Sequence, residues 1–221
     1  MTAVGAAAYD AGDMKRAGVG FREHTGWAAM VALGGDVRAP VVLSRDRYEL
    51  GDDELPRAVY HAARELDLAE AKRLVRQVQL AARTAAEWQL QRTVAELETS
   101  GYEVVGTAVA AASRRLPDDL SEILASHPLV HRAEGQLFRE ALAEASELRD
   151  LPVMRFVQQD LFEEAAGQIG ASDESLRAQL TGLGRALGPP WQRDQKEAAA
   201  AAWLALAWSR RRRIAAFQRQ D

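Results

Sequence analysis

Apolar residues occupy alternate positions early in the chain, at Val19, Phe21, Trp27, Ala29, Val31 and Leu33. A two-residue period marks strands that bury one face, so this stretch predicts a strand pair with one buried side. Arg22-Glu-His-Thr-Gly26 interrupts the alternation as a tight connection or a bulge. Gly34-Gly-Asp36 reads as a hairpin turn, and a third strand is expected over Val41–Leu50. Three antiparallel strands in a meander are the expected start of the fold.

After the loop Gly51–Pro56 the period lengthens. A long helix is predicted from Ala58 to Thr99, with a break near Asp67 and a core seam of Leu74, Val78, Ala81, Ala85 and Trp88. Ser100-Gly101 stops it, and the apolar run within Tyr102–Ala112 suits a central strand. A helical region opens at Leu116-Pro-Asp-Asp119, where Pro128 either starts a second helix or kinks the first. That helix is expected to run to about Arg149, with Val130, Ala133, Leu137 and Ala141 facing the core. Pro152–Gln158 reads as a short strand with the apolar run Val153-Met-Arg-Phe-Val157. Asp160 and Ser172 read as N-caps, the first of a helix over Leu161–Gln168, the second of one facing the core with Leu176, Leu180, Leu183 and Leu187. Gly188-Pro-Pro-Trp191 breaks the chain, with Trp191 as an anchor. Asp194 opens the last helix, and Arg210–Arg213 is expected at its C-terminal end, offsetting the macrodipole.

Composition narrows the class. With 221 residues, 48% hydrophobic and 27% charged, the chain reads as folded. Residues 17–209 are expected to form a single domain, after a flexible N-terminal segment (1–16) and before a basic C-terminal tail (210–221). The absence of cysteine excludes disulfides, thiolate metal sites and cysteine nucleophiles, and it fits a cytoplasmic protein. A net charge of −4 argues against a general nucleic-acid binder while leaving room for a local basic groove. Met1–Asp10 lacks the pattern of a signal peptide, and Ala198–Trp208 is too short to span a bilayer, so no membrane role is expected. P-loop, G-x-G-x-x-G, G-x-S-x-G and H-E-x-x-H motifs do not occur, which leaves nucleotide-dependent and serine-hydrolase chemistry without support.

The candidate chemistry is concentrated in three places. Ser126–Arg139 holds two of the four histidines. In a helix, His127, His131, Glu134 and Phe138 share one face beside the apolar stripe. His127, His131 and Glu134 have a spacing that could place two imidazoles and a carboxylate on one metal. Structural hydrogen bonds at a helix edge are the commoner meaning, and Pro128 could leave His127 as a cap. Glu23-His24 sits at the irregular point between strands and would converge with His131 and Glu134 only if the first hairpin met the second long helix. Asp194 and Glu197 form D-x-x-E, which capping explains without chemistry and which leaves Lys196 facing solvent. His61 receives no role.

The element order, with Gly18-Val-Gly-Phe-Arg-Glu-His-Thr-Gly-Trp-Ala28 and Asp194-Gln-Lys-Glu-Ala198, resembles the ribonuclease H-like superfamily and, within it, Holliday-junction resolvases of the RuvC type. Thr25-Gly-Trp-Ala28 matches the continuation of their first hairpin, and Asp194 with Glu197 matches the acidic start of their last helix. The resemblance implies an α/β, ribonuclease H-like fold over about residues 17 to 208: a three-stranded antiparallel meander plus two further strands with flanking helices. It also implies hydrolysis of nucleic-acid phosphodiesters by two Mg²⁺ or Mn²⁺ ions, held by carboxylates on the first strand, the fourth strand and the last helix. Here the sequence departs from the pattern. Val19 stands where the first-strand aspartate belongs, and Tyr102–Ala112 carries only Glu103, at its beginning. Asp194 and Glu197 carry over, with Glu23 and Glu134 as substitutes. The candidate catalytic set is therefore Glu23, Glu134 and Asp194. The candidate metal ligands are those three with Glu197 and His131, accompanied by His24, His127 and Lys196. Three readings follow: a divergent metal-dependent nuclease, a non-catalytic binding or assembly module of the same fold, and a histidine-based single-metal hydrolase. Nucleic acid is the partner implied, and assembly into a homo-oligomer is compatible with each reading.

Overall fold

A computed structural model of the protein describes residues 14–112 and 114–217, with side chains beyond position 209 and at 186 excepted. The expected flexible segment 1–16 thus lies mostly outside the described residues.

The meander forms as expected: β1 (Lys15–His24), β2 (Trp27–Asp36) and β3 (Ala39–Glu49) pair antiparallel. The interruption at residues 22–26 shrinks to a two-residue turn at Thr25-Gly26, where Gly26 holds φ +83°. Helices α1 (Val59–Ala63) and α2 (Leu68–Thr99) follow, then strand β4 (Tyr102–Ala110), helices α3 (Leu120–Ala125) and α4 (His127–Glu147), and strand β5 (Val153–Phe156). Helices α5 (Leu161–Ile169), α6 (Asp173–Leu183) and α7 (Arg193–Phe217) complete the chain. The sheet order is β3-β2-β1-β4-β5, with β4 parallel to β1 and β5 parallel to β4.

Local chemistry sets the boundaries. The break between α1 and α2 falls at Asp67, whose carboxylate accepts from the Glu70 N–H at 2.9 Å and caps α2. Pro128 lies in the first turn of α4 and starts a new helix, because its missing N–H has no helical partner there anyway. Ser172 caps α6 through the Ser175 N–H. Helix α7 continues through Arg210–Arg213 to Phe217, so the basic run lies within the helix and not at its end.

The sheet buries both faces, which corrects the expectation of one buried side. Ala17, Val19 and Phe21 of β1, with Ala28, Met30 and Ala32 of β2, pack toward α1–α4. Ala29, Val31 and Leu33 of β2 instead pack toward α5–α7. The odd positions of the two strands therefore face opposite layers. The β1 side of the second layer is carried by Gly18 and Gly20: a Cβ at Gly20 would sit 2.1 Å from the Ala202 nitrogen, and one at Gly18 would sit 2.4 Å from the Ala202 oxygen. Glycines on the strand and Ala198–Ala202 on the helix let α7 lie directly on the sheet.

The core seam of α2 also differs from its expected register. It runs through Ala71, Val75, Val78, Ala82, Ala86, Leu90, Val94 and Leu97, while Trp88 is 61% exposed and stacks under Arg92. Gln89 and Thr93 lie on the buried face because Tyr48 and the Glu49 backbone bind them, with Tyr48 Oη 2.6 Å from Thr93 Oγ1. The α4 stripe of Val130, Ala133, Leu137 and Ala141 is buried as expected. Trp191 anchors its turn by donating to the Leu180 carbonyl at 2.8 Å, and Arg45 binds the carbonyls of residues 187–190.

Candidate functional site

Parallel strands followed by helices leave a crevice beyond their C-terminal ends, a common place for ligands on α/β sheets. Here β1, β4 and β5 end together between α4 and the start of α7. A cleft of about 1080 Å³ opens there, lined by Ala111 and Ala112 after β4, Val157 and Gln158 after β5, Arg139 of α4, Phe162 and Arg177 of the following helices, and Arg193, Lys196 and Glu197 of α7. Among these lining side chains are four cations (Arg139, Arg177, Arg193 and Lys196) and one carboxylate, Glu197.

Two of the three acids at this edge are buried, and each has an arginine partner. Glu23, at the end of β1, is 3% exposed; Arg139 Nε donates to its Oε1 at 2.6 Å, and Arg22 Nη1 stands 3.6 Å from the same oxygen. Glu197, one turn into α7, is 5% exposed and lies against Arg22 Nε at 2.6 Å; it accepts from Arg193 Nε at 2.7 Å and from Gln158 Nε2 at 3.1 Å. Arg22 thus bridges the β1 and α7 acids. Beside them, His24 Nε2 stands 3.1 Å from Asp194 Oδ1, the His24 ring stacks on Trp27 at 4.2 Å, and the Arg47 guanidinium lies 3.7 Å from the centre of the same indole.

The residues proposed from sequence resolve into two groups. Glu23, His24, Asp194, Lys196 and Glu197 meet where β1 ends and α7 begins. Glu134, His127 and His131 lie further toward the N-terminus of α4, and the residue they meet is His61 of α1. A single Glu134 oxygen, Oε1, accepts from the backbone N–H groups of Tyr60 and His61 at 2.8 and 3.1 Å and lies 3.2 Å from His61 Nδ1. Glu134 therefore holds the first turn of α1 and does not join Glu23. His127 Nε2 and His131 Nε2 are 2.9 Å apart, and the His61 ring lies 4.7 Å from that of His131. Like charge on His131, then desolvation, then His61 and Arg64, hold the His127 imidazole below its ordinary value.

Sequence reasoning missed Arg22, Arg139, Arg193 and His61. Arg139 and Glu23 are separated by 116 positions, and no local pattern links them. The usable signal was indirect: a carboxylate at a packed strand end needs a cation.

The two-ion chemistry that the resemblance implies can be tested against these side chains, and they do not fit it. Two-ion hydrolysis needs several carboxylates free to converge on ions about 4 Å apart. Here both oxygens of Glu197 and the Oε1 of Glu23 are taken by guanidinium groups, and Glu23 Oε2 is buried without a hydrogen-bond partner. The end of β4 is Ala108-Val-Ala110, and Glu103 lies at the opposite end of that strand. Among the described residues, the one group of three ligand-type side chains with donor atoms within 4.8 Å of each other is His61, His127 and His131. A second cavity of about 1040 Å³, between α2, α3 and α4, has Lys72, Arg76, Arg83 and Arg115 set against Asp118, Asp119, Glu140 and Glu144. Its four cations and four acids cancel, so of these two cavities the cleft at the strand ends has the net positive lining.

No protein-family model matches the chain, and no curated protein matches it. Solved structures do. Thermus thermophilus RuvC in complex with a Holliday-junction substrate is 11% identical with a TM-score of 0.51, over 88% of this chain and 95% of that one. A second Thermus thermophilus RuvC structure is 13% identical with a TM-score of 0.50 over the same shares. At this identity the likeness shows the fold: the chain is α/β and ribonuclease H-like, a mixed five-stranded sheet with flanking helices. Among the described residues no helix is long and apolar enough to cross a membrane.

Proposed function

We propose that this protein is a non-catalytic nucleic-acid-binding module of the ribonuclease H-like fold, holding backbone phosphate in the cleft at the ends of β1, β4 and β5. One observation carries the reading: Glu23 at the β1 end and Glu197 in α7 are paired with Arg22, Arg139 and Arg193, so guanidinium groups supply the positive charge beside these two carboxylates. Lys196 on the lining is placed to meet phosphate; Arg177 beside it is held by Asp173 at 2.8 Å and lies over the Phe162 ring, so it meets phosphate with the guanidinium nitrogens this pair leaves over. Guanidinium and ammonium groups bind phosphate oxygens by charge-assisted hydrogen bonds but do not activate water for attack. The RuvC neighbour is described with a Holliday-junction substrate, and this favours nucleic acid over other polyanions. Fold alone does not carry function, so the reading rests on the cleft.

Fluorescence anisotropy with labelled four-way junction, duplex and single-stranded DNA tests it in the absence of divalent ions. Expected is binding that weakens with salt between about 50 and 200 mM, as counterion release requires. Replacing Arg177 and Lys196 by Ala should weaken it several-fold and flatten the salt slope by roughly 0.9 per lost phosphate contact. Unchanged affinity in that double variant refutes the assignment of the cleft. Mn²⁺-dependent cleavage that disappears in Glu23→Gln establishes the hydrolytic reading instead.

A further inference from the structure

We infer that His61, His127 and His131 form a binding site for one imidazole-preferring divalent metal ion of the zinc class, with Glu134 as its outer-shell carboxylate. This inference is independent of the cleft.

Two helices build the donor set. His127 and His131 are one turn apart in the first turns of α4 and project from the same face. His61 comes from α1, a helix of only five residues whose position depends on Glu134. With Nδ1 against Glu134 Oε1, the His61 ring keeps Nε2 free. This carboxylate–histidine pairing is what fixes ring orientation and tautomer in protein metal sites. Donor atoms from all three rings lie within 4.8 Å of one another, and His127 and His131 are exposed, so an ion can enter. Zn–N bonds of about 2.0–2.1 Å in tetrahedral geometry need nitrogens roughly 3.3 Å apart. The 2.9 Å separation of His127 and His131 has to open only slightly to accept the ion.

Charge supplies a second, separate argument. Glu134 is 4% exposed, and its Oε2 is buried with no hydrogen-bond partner. A buried carboxylate calls for a compensating cation. The backbone N–H groups of Tyr60 and His61 give Glu134 hydrogen bonds but no net charge, whereas a dication on the three histidines supplies it. Arg64 also acts on His127 and opposes the ion. Three neutral imidazoles favour Zn²⁺, Co²⁺, Ni²⁺ or Cu²⁺ over Mg²⁺. A three-histidine set also leaves the fourth tetrahedral position to water. Bound there, the ion cross-links α1 to α4.

The test uses untagged, chelator-stripped full-length protein. Zn²⁺ is titrated by calorimetry and Co²⁺ by its visible absorption, in the wild type, His61→Ala, His131→Ala and Glu134→Gln. Expected is one equivalent of Zn²⁺, tetrahedral Co²⁺ bands, no competition from excess Mg²⁺, and at least a hundredfold weaker binding in either histidine variant. Glu134→Gln should weaken binding by roughly 10- to 100-fold, the usual effect of losing an outer-shell partner. Circular dichroism confirms that each variant is folded, and His61→Ala decides the question if Glu134→Gln does not fold. Wild-type affinity in His61→Ala reduces the site to ordinary two-histidine surface chelation and overturns the inference. Failure of the wild type to bind either ion overturns it as well.

Discussion

Replacing Arg139 by Met tests whether guanidinium groups stabilise the β1 edge in place of metal ions. Glu23 is almost fully buried, its Oε1 is 2.6 Å from Arg139 Nε, and its next cation, Arg22, is 3.6 Å away and shared with Glu197. Methionine keeps the packing of the alkyl stem but leaves the carboxylate with this weaker partner. Breaking a buried pair on one side costs about 3–5 kcal/mol. Arg139 is 24% exposed and Arg22 remains, so the lower end, about 3 kcal/mol, is expected. For a domain of this size that corresponds to a melting temperature lower by roughly 6–12 °C. Glu23→Gln should cost less, about 1–2 kcal/mol, because the stranded guanidinium is partly hydrated already. The double variant removes both charges, so its loss should fall short of the sum of the singles by at least about 1 kcal/mol in a double-mutant cycle. Urea denaturation of the four proteins gives these numbers. Additivity within about 0.5 kcal/mol refutes the pairing argument. So does a Mg²⁺-dependent rise in the wild-type melting temperature that is lost in Glu23→Gln, because it assigns the carboxylate to a metal.

Two further expectations concern the frame around the site. Gly20→Ala should destabilise by about 1–3 kcal/mol or more, since the new methyl meets backbone atoms of α7 at 2.1 and 2.2 Å. Gly167→Ala, in α5 with open space around the added Cβ, should instead raise the melting temperature by the helix-propensity gain of roughly 0.5–1 kcal/mol. Equal midpoints for the two variants in thermal denaturation contradict the close approach of α7 to β1. Asp67 carries the pH-dependent part of the α2 cap: the Glu70 N–H holds its carboxyl below the ordinary value of 3.8. A depressed carboxylate contributes stability that is present above its unfolded value and is lost as pH falls through the folded one. The melting-temperature gap between wild type and Asp67→Ala should therefore be full at neutral pH and shrink below about pH 4. A gap independent of pH shows that the charge has no part in the cap.

The sequence by itself determined the order and kind of the elements, because the signals involved are local. Alternation over Val19–Leu33, the Asp67 and Ser172 caps, Pro128 in a first turn and Gly101 behind a long helix each act within a few residues. Tertiary structure decided which faces are buried. Alanine is so frequent in α2 that two adjacent seams look alike, and the choice fell to contacts with Tyr48 and Glu49, 40 or more positions away. The same holds for β1, where glycine carries no hydrophobic signal although Gly18 and Gly20 form the contact with α7. The site divides likewise. Glu23, His24, Asp194 and Glu197 could be named from the chain as polar groups at strand and helix ends, but their pairing with Arg22, Arg139 and Arg193 could not. Glu134 and His131 were grouped with Glu23 on residue type alone; α1, held by Glu134, brings them to His61 instead. Residue spacing fixes what one helix or strand can present. Whether two carboxylates meet an ion or an arginine depends on which distant elements the packed core places beside them.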